Sequence, residues 1–127
     1  HLSIRRQRQM CIRDRFNQPL NEWDVSSVED MTHMFYGCEK FNQPLNNWNV
    51  SNVVGMVRMF CGCEKFNQPL NNWNVSNLGV TINMFRDAIS FNQPLDLWNV
   101  SSKINMKNMF DNAVSFDKNN APWYNFD

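Results

Sequence analysis

The sequence predicts a solenoid in which short parallel strands stack into one sheet and short helical or 3-10 segments carry the chain back. Three observations predict it. Tryptophan recurs every 25 residues without a slip, at Trp23, Trp48, Trp73, Trp98 and Trp123. Phenylalanine keeps the same period at Phe16, Phe41, Phe66, Phe91 and Phe116. The stretch 41–65, FNQPLNNWNVSNVVGMVRMFCGCEK, has close copies starting at residues 16, 66 and 91. A period of this length is the mark of units that bury their apolar faces only against their neighbours.

The domain organisation follows from that period. Residues 16–115 read as four 25-residue repeats, and residues 116–127 as a partial or capping repeat that keeps Phe116 and Trp123 but has Asn120 where the others have Leu. Hydrophobic content of 43% with 13% aromatic is too rich for a disordered low-complexity tract. No apolar run is long enough to predict a membrane span. Residues 16–127 hold 7 Lys and Arg against 11 Asp and Glu, so no basic nucleic-acid footprint is expected there.

Residues 1–15 differ, with Arg5, Arg6, Arg8, Arg13 and Arg15 against Asp14. The string RRQRQMCIRDR over residues 5–15 resembles the translation of a transposase-type sequencing adapter. On that resemblance residues 1–15 are a non-native leader, and the rest is a fragment of a larger chain.

Within a unit, Pro19, Pro44, Pro69 and Pro94 cannot donate to a ladder and hold the preceding residue extended, which places a turn before the strand. The strand is then L-x-x-W-x-V, with Trp48 and Val50 in the second unit facing inward on alternate positions and neighbouring strands roughly 4.8 Å apart. Asp24, Asn49, Asn74 and Asn99 separate Trp from Val and are expected to form Asx turns. Ser26, with Glu29 three residues on, reads as a capping box. Behind it, Val28, Met31, Met34, Phe35 and Cys38 recur at spacings of three and four, predicting the helical or 3-10 return; Gly55 and Gly62 keep it short. Thr81 and Lys103 depart from the stripe.

No chemistry-bearing constellation survives being placed in register. Cys38 and Cys63 share a position with Ala88 and Ala113, which marks a small buried site rather than a metal ligand. Cys61 and Cys63 form only C-x-C, without a second ligand pair. Met34, Met59, Met84 and Met109 share one register beside an inward Phe and read as core. No Ser–His–acid set, no tuned carboxylate pair and no glycine-rich phosphate loop is present. The expectation is a chain that is not an enzyme and takes no cofactor or metal. Asn49, Asn74 and Asn99 each open an N-V-S glycan sequon, but the same residues are demanded by the turn.

The unit resembles the bacterial surface protein repeat, the BspA-like branch of the leucine-rich repeats found in mycoplasma-type and Listeria-type lipoproteins. Phe41, Asn42, Pro44, Leu45, Trp48, Val50, Ser51, Val53, Met56, Met59, Phe60 and Cys63 match its pattern in one unit. That resemblance implies a leucine-rich-repeat-like solenoid at the cell surface or in the extracellular space. It also implies a non-enzymatic scaffold for adhesion or for protein or glycan recognition, with a spacer or stalk as the alternative. Positions that vary on the return arc are then the candidate partner surface: Thr32, His33, Tyr36, Arg58, Asn83, Arg86, Lys107, Asn108 and Asp111. An exposed end of such a stack also invites end-to-end self-association with another copy.

Overall fold

The computed structural model describes residues 16–127; the leader reading of residues 1–15 lies outside the described residues. What forms is a succession of tight turns. The expected strand-and-helix solenoid is not what these residues build: among them there is no β-strand and no α-helix, and the one regular element is a 3-10 helix at Lys118–Asn120. Among the described residues, strand-like pairing is confined to three isolated parallel bridges, Asp30 with Gly55, Gly55 with Val80 and Val80 with Asn105.

Each 25-residue segment spends its backbone in turns closed from residue i to i+3. In the first, Trp23 donates to the Leu20 carbonyl, Val28 to Val25, Met34 to Met31, Tyr36 to His33 and Cys38 to Phe35, at 2.9–3.2 Å. A strand would need those N–H groups for its neighbours, so L-x-x-W closes on itself instead. The expected return helix fails for a different reason. Residues 33 and 37 of its stripe are left-handed, with φ 64° at His33 and 74° at Gly37, and no α-helix continues through such residues. Both stand third in their turns, the position that requires positive φ in a type II turn. The expected capping box is likewise absent. Ser26 donates through both N–H and Oγ to Asp24 Oδ1, at 3.0 and 2.6 Å, so the Asx turn takes the serine.

The segments nevertheless meet their neighbours in a constant offset. Met31, His33, Phe35 and Gly37 donate N–H to the carbonyls of Gly55, Val57, Met59 and Cys61. Met56, Arg58, Phe60 and Gly62 do the same to Val80, Ile82, Met84 and Arg86, and Thr81, Asn83, Phe85 and Asp87 to Asn105, Lys107, Met109 and Asp111, all at 2.8–3.0 Å. On another side the acceptor is an amide side chain: Asn17 Oδ1 takes the Asn42 N–H, Asn42 the Asn67 N–H and Asn67 the Asn92 N–H, each at 2.9 Å. Gly55 leaves room for its bridge, since a Cβ there would stand 3.0 Å from Asp30 Oδ1.

Two phenylalanine columns fill the interior. Phe16, Phe41, Phe66, Phe91 and Phe116 stack at 5.7–5.9 Å, and Phe35, Phe60, Phe85 and Phe110 at 5.4–5.6 Å. Members of the two columns meet at 4.3–4.4 Å. Met34, Met59, Met84 and Met109 are buried beside them, as are Cys38, Cys63, Ala88 and Ala113. Four of the five indoles are tied down: Trp48 Nε1–H donates to the Leu20 carbonyl, Trp73 to Leu45, Trp98 to Leu70 and Trp123 to Leu95, at 2.8–2.9 Å. Aromatic area with a satisfied N–H is what keeps tryptophan inside.

Candidate functional site

The offset that joins one segment to the next ends at Met106, Asn108, Phe110 and Asn112. Their register equivalents donate N–H to the following segment in all three preceding cases, and here those four N–H groups make no hydrogen bond among the described residues. They face one way because of their sequence. Asn108 and Asn112 sit at φ 56° and 58°, the left-handed positions held by His33 and Gly37 in the first segment, and Asn tolerates that backbone. Phe110 is only 7% exposed, so its unpaired N–H is an orphan in a largely buried residue.

Residues 121–127 lie over the apolar side of this edge. Phe126 lies 5.5 Å from Phe110 with its ring tilted by 31°, and Tyr124 meets the same ring edge-on at 5.0 Å. The Tyr124 hydroxyl accepts the Met109 N–H at 3.2 Å. Burial pushes the Tyr124 phenol above its ordinary value, a shift the Met109 hydrogen bond opposes. Lys118 Nζ stands 5.9 Å over the Phe126 ring.

A groove of about 400 Å³ runs along another side, lined by Tyr36, Gly37, Glu39, Cys61, Gly62, Glu64, Asp87, Ile89 and Asn112. The left-handed residues Gly37, Gly62, Asp87 and Asn112 fall in one register along it. Its thiol is muted: burial pushes Cys61 up, and the Asp87 carboxylate adds to this. Cys63, fully buried, is pushed far above the ordinary thiol range by desolvation and donates to the Phe35 carbonyl at 3.0 Å. Cys38 is disulfide-bonded.

The residues chosen from the sequence fall into three registers. His33, Arg58, Asn83 and Asn108 form one row, all left-handed at φ 54–64°. Tyr36, Arg86 and Asp111 belong to a second and Thr32 and Lys107 to a third. His33, Tyr36, Arg58, Arg86, Lys107 and Asp111 are exposed, and Thr32 and Asn108 half-buried. Asn83 is 5% exposed, and its Oδ1 has no partner. His33 and Tyr36 are in ring contact at 5.4 Å, and Arg86 lies 3.9 Å from Asp87. Of the open edge, sequence reasoning singled out only Asn108. Met106, Phe110 and Asn112 contribute backbone N–H groups, which no residue type announces. The readable signal was the Gly, Gly, Asp, Asn series at residues 37, 62, 87 and 112, types that accept left-handed backbone at a fixed interval.

Among the described residues no group of three or more His, Cys, Asp and Glu is placed to hold a metal, and no helix is long and apolar enough to cross a membrane. A family of Mycoplasma proteins of unknown function, DUF285, matches residues 6–123. The chain belongs to this family. No curated protein and no solved structure matches it.

These findings correct the expected identity. The family is DUF285 and not the BspA-like leucine-rich repeat, and the leucine-rich-repeat solenoid is overturned by the absence of strands among the described residues. The surface scaffold for adhesion or protein or glycan recognition, and the spacer or stalk given as its alternative, rested on that architecture and fall with it.

Proposed function

We propose that this chain is a non-enzymatic module that associates end to end with further copies of itself. The observation that carries this reading is the row of N–H groups at Met106, Asn108, Phe110 and Asn112, which have no partner among the described residues and are equivalent in register to three rows that are each satisfied by carbonyls of the next segment. An interface built on such a row is heterologous, with donors on one copy and acceptors on the other.

The non-enzymatic part of the reading is supported by the thiols, which burial makes poor nucleophiles.

Sedimentation equilibrium of the chain over a concentration series tests the association. The weight-average mass is expected to rise above the monomer without a plateau at the dimer. In parallel, amide spectra should show the Met106, Asn108, Phe110 and Asn112 signals moving with concentration. A monomer mass at every concentration overturns the reading.

A further inference from the structure

We draw no further inference here: the strongest candidate, the lateral groove of about 400 Å³ in which the Glu39, Glu64 and Asp87 carboxylates stand with Tyr36 and the Cys61 thiol, is an acidic cluster beside a single muted cysteine, and nothing among the described residues shows what would occupy it.

Discussion

Trp73 Nε1–H donates to the Leu45 carbonyl at 2.9 Å, across 28 residues of sequence, while that carbonyl also closes the Leu45–Trp48 turn at 3.1 Å. One oxygen thus serves a turn in its own segment and an indole from the next. Trp73→Phe removes the second bond and some buried ring but leaves the carbonyl its turn partner, so no acceptor is orphaned. A loss of about 1–2 kcal/mol is expected. Denaturant titration should show a lower midpoint with an unchanged slope. A midpoint equal to wild type would mean the indole N–H contributes nothing.

The interior was far more legible in the sequence than the backbone that encloses it. Burial at Trp48, Val50, Met59, Phe60 and Cys63 follows from which residues recur, and apolar recurrence survives any backbone that keeps the offset. The same spacing cannot distinguish a strand from L-x-x-W closed as a turn, because Trp faces inward in both. The three-and-four spacing of Met31, Met34, Phe35 and Cys38 likewise fits a helix or successive turns. What decides is the sign of φ at residues 33, 58, 83 and 108, and the side chains there are His, Arg, Asn and Asn. Only the asparagines hint at it. For the edge, nothing but backbone direction is involved, which one-letter codes do not record.

Substitution on the left-handed rows separates backbone strain from crowding. Gly62 has φ 77°, and a Cβ there would come no closer than 3.6 Å to Gly37 Cα, an ordinary contact. Gly62→Ala therefore costs only the backbone strain of a Cβ at positive φ, roughly 1–2 kcal/mol. Asp87 occupies the equivalent place in the third segment at φ 60°. Asp87→Gly is expected to relieve that strain while giving up the 2.8 Å bond from Asn112 Nδ2, with a net change within about 0.5 kcal/mol of zero. Thermal or denaturant unfolding of the two variants checks the contrast. Equal destabilisation of both would show that the left-handed backbone is not what sets the cost.

Loss of a central ring should be far more costly than either. Phe60 is fully buried and contacts Phe35, Phe66 and Phe85 at 4.3–5.6 Å. Phe60→Ala opens a cavity that two flanking segments cannot close, because their own turns fix them, and a loss of about 3–5 kcal/mol is expected. Phe16→Ala, at the first described segment with 5% exposure and one ring partner among the described residues at 5.8 Å, should lose less. Unfolding midpoints that rank Phe16 at or above Phe60 would contradict the columnar core.

Salt separates steering from docking in the association. The acidic residues Glu22, Glu29 and Glu39 are exposed on the first segment and Lys103 and Lys107 on the fourth. Exposed charges of this kind act over about 8–10 Å at physiological ionic strength and are screened beyond it. Association is expected to form more slowly at high salt, with a smaller change in the rate of dissociation, since the backbone bonds at the edge are uncharged. Light scattering after dilution and after mixing, at low and high salt, reads the two rates. A dissociation rate that rises with salt as steeply as the association rate falls would show that ion pairs, not the N–H row, hold the copies together.

Alkaline pH offers a check that needs no partner. Cys63 is fully buried and its thiol is pushed up by desolvation, with the nearby Cys61 adding to the shift, while a thiol in the unfolded chain titrates near 9.0. Above that value the unfolded state releases the proton and the folded state keeps it, so unfolding is favoured increasingly as pH rises. The stability contributed by the neutral thiol is thus complete below about pH 9 and falls at up to about 1.4 kcal/mol per pH unit above it. Cys63→Ala places the residue found at the equivalent positions 88 and 113 and removes the titrating group. Its unfolding midpoint should be lower than wild type at pH 7 but fall less between pH 8 and pH 10. Parallel pH dependence in the two chains would place the alkaline sensitivity elsewhere, with the Tyr124 phenol, also pushed up by burial, the next group to test.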